Sequence, residues 1–160
     1  MELRIPPALV PGDRIGVISP ASPPKPEKHD QYQNGLAYLR GLGYKISEGK
    51  HVLDQYGYLA GTDESRAADL NAMFRNPRIK AIICSRGGYG TPRLLDLIDY
   101  EAVRKHPKIL VGYSDITSLQ LALFARTGLV TFSGPMVAVE MGKGILPFTE
   151  KHFWAMVGKS

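Results

Sequence analysis

Between Lys108 and Leu121 the chain reads KILVGYSDITSLQL. The apolar run Ile109-Leu110-Val111 breaks at Gly112-Tyr113-Ser114-Asp115, and from Ile116 onward Ile116, Leu119 and Leu123 return at helical spacing. A strand, a tight turn with one serine at its tip and then a helix make a nucleophile elbow. Such a turn lifts the Ser114 hydroxyl clear of a sheet. It also aims the first N–H groups of the helix, which have no intrahelical partners, at whatever the hydroxyl attacks. The chemistry is acyl transfer. Only the first glycine of the G-x-S-x-G pattern is present, because Ile116 stands at the second. A plain capping role for Ser114 or Asp115 accounts for the same residues, and on these residues alone both readings stay open.

A serine hydrolase needs oxyanion donors from two segments. The N–H of Asp115 follows the serine, and Arg86-Gly87-Gly88-Tyr89-Gly90 ends another apolar run, Ile79 to Ser85. If the two strands pair, these turns sit side by side. Gly88 is then the candidate second donor, since glycine permits the close approach and unusual φ of such a turn. Arg86, Gly87 and Tyr89 are the candidate substrate contacts. Phosphate binding is the rival use of this turn, but neither G-x-G-x-x-G nor a G-K-[ST] ending is present.

The serine also needs a base, usually a histidine oriented by a carboxylate. None of the four histidines, His29, His51, His106 and His152, is expected at the carboxyl end of a strand on the elbow side. His106 precedes the elbow strand and belongs at its opposite end. The single cysteine, Cys84, lies inside a buried run and reads as an inert core thiol. No Cys/His cluster has metal-ligand spacing, so no metal or cofactor is expected. Asp96 and Asp99, three apart at a helix end, read as solvated or capping groups.

The elements that must position these residues alternate. Pro6, Pro7, Pro11 and Gly12 make an extended lead-in, and Arg14 to Ser19 is the first strand, ending in the polar loop Pro20 to Pro26. Glu27 to Leu42 predicts a helix on Tyr32, Leu36 and Leu39, closed by Gly41 and Gly43. Tyr44 to Ser47 is a weak strand, and His51 to Gly61 is irregular. Thr62 caps a helix whose first turn carries Asp63 and Glu64 and whose inner face carries Ala67, Leu70 and Phe74. Thr91 and Pro92 open a further helix as N-cap and first residue, and Leu129 to Phe132 is the last strand. This is an α/β pattern with about five strands: an open, mainly parallel, flavodoxin-like sheet with helices on both faces.

Residues 1–146 therefore read as the nucleophile domain. Residues 147–160 read as a linker and the start of a helix, with Thr149 as cap and Phe153, Trp154 and Val157 on or near one face. An apolar helix with little chain after it predicts exposed Phe153 and Trp154, self-association of this piece, and a further domain beyond.

Composition narrows the classes. At 44% apolar and 22% charged residues the chain is that of an ordinary globular protein. The net charge of +5 is scattered, with no basic block interleaved with aromatics, which argues against a nucleic-acid partner. No leader pattern or membrane-length apolar run is seen, and the lone cysteine fits a reducing, cytoplasmic compartment.

Four motifs occur together: LVPGDRIGVISPASP (Leu9 to Pro23), SRGGYG followed by RLLDLID (Ser85 to Asp99), GYSDIT (Gly112 to Thr117) and SGPM (Ser133 to Met136). In this order the chain resembles the amino-terminal half of the LD-carboxypeptidase family, the serine peptidases that include the microcin-immunity group. The resemblance implies Ser114 as nucleophile, with Gly88 and Asp115 as oxyanion donors. It implies a flavodoxin-like domain joined to a carboxyl-terminal domain that supplies the catalytic glutamate and histidine. It further implies a cytoplasmic homodimer that removes the terminal D-alanine of murein tetrapeptide in cell-wall recycling. A microcin-type amide hydrolase and a non-catalytic flavodoxin-like binding module are the alternatives.

Overall fold

The most apolar stretch of the chain becomes the middle of its sheet. The computed structural model describes residues 2–158. Its strands are β1 (Arg14–Ile18), β2 (Lys45–Glu48), β3 (Ile79–Cys84), β4 (Ile109–Gly112) and β5 (Phe132–Ser133), all parallel, in the order β2-β1-β3-β4-β5. This is the flavodoxin-like order. The helices are α1 (His29–Gly41), α2 (Asp63–Arg75), α3 (Tyr100–Lys105), α4 (Ile116–Thr127) and α5 (Pro147–Val157), with a 3-10 helix at Thr91–Leu97 and a π-helical turn at Val137–Met141.

Side chains of successive strand residues point to opposite faces, which sorts the core in two. Ile18, Ile82, Cys84 and Leu110 pack with Leu70 and Phe74 of α2, Val103 of α3, and Leu119 and Leu123 of α4. Ile15, Val17, Ile83 and Val111 pack with Leu36 and Leu39 of α1, Val137 and Met141 of the π turn, and Phe153 and Val157 of α5. Both faces are thus covered, as a continuously apolar strand such as β3 requires. Any ligand of such a sheet meets it beyond the carboxyl ends of the strands, where the order reverses between β1 and β3.

The start of α2 follows expectation: the Thr62 side chain accepts a hydrogen bond from the Ser65 N–H. Asp99 likewise caps α3, accepting from Ala102 N–H at 2.9 Å. Four expectations are corrected. The helix predicted from Glu27 begins as a short 3-10 turn at Pro26–Lys28 and becomes α-helical only at His29. The helix predicted from Thr91 is 3-10, with Gly90 at its cap position, because Thr91 bonds Asp115 instead of its own helix. The last strand shrinks to Phe132–Ser133, because the lead-in captures the residues before it: Val130 N–H donates to Arg4 O at 2.9 Å.

The fourth correction concerns the last helix. Pro147 is its first residue, not part of a linker, and Leu146, not Thr149, is the cap. Phe153 is buried, close to Gly134, and Trp154 stacks on Tyr44 with ring centroids 5.3 Å apart. Trp154 Nε1–H donates to Tyr38 Oη at 2.8 Å, and Leu9 N–H of the lead-in donates to Val157 O at 2.8 Å. The apolar payload of α5 covers this domain's own sheet, so the predicted reason for self-association is gone. Burial of a side chain the size of Phe153 is worth about 1.5–3 kcal/mol. No helix among the described residues is long and apolar enough to cross a membrane.

Candidate active site

β3 and β4 pair in register, Ala81 beside Ile109 and Ile83 beside Val111, so the turns after them are neighbours, as the sequence predicts. In the turn after β4, Ser114 has φ of 64°, the only non-glycine residue with positive φ among those described. A side chain in this region costs about 1–2 kcal/mol, and such strain collects at functional positions because the surrounding structure enforces it. Ser114 is exposed at the tip, and α4 begins two residues later.

Neither Ser114 nor Asp115 caps α4 with its side chain. The Asp115 carboxylate is committed elsewhere. Oδ2 accepts from Thr91 N–H at 2.9 Å, while the Thr91 hydroxyl donates to Asp115 O at 2.5 Å. Ser118 Oγ–H also donates to Asp115 O, at 2.8 Å. These bonds tie the start of α4 to the start of the Thr91–Leu97 helix and fix the two turns against each other. Capping alone therefore does not explain these residues.

In the turn after β3, Gly87 touches the serine. A Cβ at Gly87 would lie 3.1 Å from Ser114 Cβ and 3.4 Å from Ser114 Oγ, so any side chain here would crowd the hydroxyl. Gly88 has φ of +144°, and a Cβ there would fall 2.1 Å from Ser22 Oγ of the β1 loop. Only glycine satisfies both demands. The N–H groups of Gly88 and Asp115 donate no hydrogen bond within the protein among the described residues. Two unspent donors beside a serine are what a developing oxyanion requires.

Buried polar groups that the sequence did not single out hold this turn from below. The Arg66 guanidinium of α2, wholly buried, donates to Pro20 O of the β1 loop at 2.7 Å and to Gly90 O of the β3 turn at 3.1 Å, and it pairs with Asp63. Burial lowers the Arg66 pKa from its ordinary value and Asp63 opposes the shift. Asp63 is itself held below the usual carboxylate value, chiefly by the Arg93 hydrogen bond. Ser19 and Ser85, the residues just past β1 and β3, join through their hydroxyls at 2.5 Å. No local pattern marks Arg66, which reads as one more charge on a helix; only the fold turns it inward.

The two turns open on a cleft of about 570 Å³. Ser114, Arg86, Gly87, Gly88 and Tyr89 all line it. The π turn adds Ala138 and Val139 to the lining, with Met136 just before it. Such turns concentrate at functional sites. Tyr113 Oη–H, beside the serine, donates to Glu140 Oε1 at 2.6 Å; burial, with Glu140 next, pushes its pKa up to about 12.

No histidine lines the cleft. One expectation about them changes: His51 does follow the carboxyl end of β2, with Nδ1 2.6 Å from Asp54 Oδ2. Two strands separate β2 from β4, roughly 14 Å of sheet, so this pair does not serve Ser114. His106 closes α3 at the amino end of β4, His152 packs on Phe148, and His29 is exposed at the start of α1. Cys84 is fully buried and its thiol pKa is pushed up by that burial, away from nucleophilic use. Among the described residues no three His, Cys, Asp or Glu side chains cluster as a metal site.

Comparison with known proteins identifies the family. The chain is 51% identical over 149 residues to the probable murein peptide carboxypeptidase of Bacillus subtilis, covering 92% of this chain and 46% of that protein. It is 36% identical over 135 residues to the microcin C7 self-immunity protein MccF of Escherichia coli, covering 84% and 39%. The crystal structure of a MccF-like protein from Bacillus anthracis superposes with a TM-score of 0.92 at 34% identity, over 98% of this chain and 47% of that one. The chain thus spans less than half the length of these relatives. Residues 15–134 match the LD-carboxypeptidase N-terminal domain, and the chain belongs to that family.

Proposed function

We propose that the full protein is a serine-type LD-carboxypeptidase that removes the terminal D-alanine from murein tetrapeptide, and that this chain is its nucleophile domain. The observation that carries the reading is the strained Ser114 at the mouth of the cleft, beside the unspent N–H groups of Gly88 and Asp115. Ser114 Oγ attacks the scissile carbonyl as its proton passes to a base. The carbonyl oxygen becomes an oxyanion held by the two N–H groups. The intermediate collapses, the C–N bond breaks, and D-alanine leaves with the proton returned to its amine. Water then hydrolyses the acyl-enzyme. Arg86, Gly87 and Tyr89 contact the substrate. The base and its orienting carboxylate come from the part of the longer relatives that this chain does not span. The protein acts in the cytoplasm as a homodimer, in cell-wall recycling, without metal or cofactor.

The test uses the full-length protein and a serine-directed fluorophosphonate. Labelling at Ser114, together with D-alanine release that Ser114→Ala abolishes while circular dichroism is unchanged, is the expected result. Substantial hydrolysis by the variant would overturn the assignment. The superposition on a MccF-like structure favours a second substrate reading, amide hydrolysis of a microcin-type conjugate by the same machinery. Turnover of microcin C7 in preference to murein tetrapeptide would select it. Binding of either without turnover, and indifference to Ser114→Ala, would select a non-catalytic module.

A further inference from the structure

The cleft has a charge asymmetry that the catalytic reading does not use. Four cations line it, Lys25, Lys28, Arg86 and Lys143, and no carboxylate does. Lys28, Arg86 and Lys143 form no ion pair among the described residues; Lys25 lies 3.8 Å from the exposed Glu27. One sign of charge in a concave site focuses the field on an incoming anion.

The placement of two of these cations is built. Where α1 meets the π turn, a Cβ at Gly35 would fall 2.0 Å from Val137 O, and a Cβ at Gly142 would fall 2.0 Å from Gln31 O. Each glycine lets the other segment's backbone approach to a distance no other residue allows. This contact holds the start of α1, with Lys28, against the segment bearing Lys143; both lysines line the cleft with Ser114, and neither lines the groove beyond the Gly88 turn. The amino end of α1 adds its own positive pole there.

Across the Gly88 turn the chemistry changes. A second groove of about 280 Å³ shares Lys25, Arg86, Gly88 and Tyr89 with the first, and adds Pro23, Pro26 and Tyr58. Tyr58 and Tyr89 are exposed and meet edge to face, centroids 5.9 Å apart. The two grooves join at the Gly88 turn: Lys28, Lys143 and Ser114 line only the first, Tyr58 lines only the second, and Lys25, Arg86 and Tyr89 line both.

We infer that this pair of grooves fixes the polarity of the bound peptide: Lys28 and Lys143 take the free α-carboxylate of the leaving residue, and the Tyr58–Tyr89 shelf takes the acyl part. The inference rests on the peptidase reading above but is tested by binding. The probes are murein tetrapeptide and its carboxyl-terminal amide, titrated calorimetrically into the full-length protein carrying Ser114→Ala. The acid should bind at least tenfold tighter than the amide, a preference that shrinks as salt rises. Lys28→Met with Lys143→Met should cut it below threefold and leave amide affinity unchanged. Tyr58→Ala with Tyr89→Ala should weaken both probes alike. Lys151→Met, an exposed charge on α5 outside the cleft, should change neither. A preference that survives the lysine pair, moves with the tyrosine pair, or is absent from the start overturns the inference. Absence of turnover in the protein with Ser114 intact, with the preference retained, overturns the peptidase reading instead.

Discussion

The turns after β3 and β4 lie side by side and are made by opposite means. The β4 turn puts a serine in the left-handed region and accepts the strain, as the proposed nucleophile, which needs a side chain at that spot, requires. The β3 turn puts glycines there, and the proposed oxyanion donor needs only its N–H. The supports differ accordingly. The serine turn is held by its own helix and by part-buried bonds between Asp115 and the buried Thr91, 24 residues away. The glycine turn bares its backbone at Gly87 and Gly88 and is held from beneath by a wholly buried arginine at Gly90 O, with Ser22 of the β1 loop lying close to Gly88. The serine turn is thus fixed by hydrogen bonds to its own Asp115, whereas the glycine turn is braced at a backbone carbonyl by a charged side chain from beneath.

This contrast can be broken. Gly88→Val places a β-branched residue at φ of +144° with its Cβ on Ser22. Turnover of the full-length protein should fall roughly 10²–10³-fold, the usual cost of one oxyanion donor. Unchanged kcat/KM would remove Gly88 from the site. Arg66→Met comes next. It leaves the Pro20 carbonyl unpaired, while Gly90 O keeps the Arg93 N–H, and should cost about 1–3 kcal/mol in denaturant unfolding, the usual penalty for one orphaned buried group. Turnover should fall about tenfold through the displaced donor turn. A variant as stable as the parent would show that the brace is not needed.

Ser114→Gly sharpens the comparison by making both turns alike. Release of the left-handed strain, offset by glycine's freedom in the unfolded chain, should raise stability by about 0.5–1 kcal/mol while activity is lost. A drop in melting temperature would mean the serine turn is not strained. The smallest effect concerns Cys84. Its buried thiol, with the pKa raised, should resist iodoacetamide in the native protein, react once unfolded, and leave turnover untouched. Rapid native alkylation with loss of activity would reopen the thiol as a site residue.

The site residues most legible in the sequence were those whose function demands a type at a fixed spacing. Ser114 stands between an apolar strand and a helix, and Gly87-Gly88 ends another apolar strand; each pattern is local. Arg66, Lys28 and Lys143 carried no such mark. Arg66 follows Asp63, Glu64 and Ser65 in the polar first turn of a helix, and the two lysines are far apart in the chain. Their roles arise from packing: α2 turns Arg66 under two loops, and a reciprocal glycine contact holds α1 on the π turn. The misjudged elements share a cause as well. Thr91 and Leu129 had local signals for a cap and a strand, and both were outbid by partners distant in sequence, Asp115 and Arg4.

By itself the sequence determined the parallel α/β class, the first four strands with helices α1 and α2, and the serine at the elbow, but not α3. Those follow from apolar periodicity and turn chemistry, which act over a few residues. Tertiary structure alone decided that α5 closes over its own sheet, that a buried arginine braces the Gly88 turn, and that Lys28 and Lys143 line the cleft with Ser114 while Tyr58 lines the adjoining groove. These depend on contacts between residues dozens of positions apart, and no local pattern encodes a neighbour that only the folded chain provides.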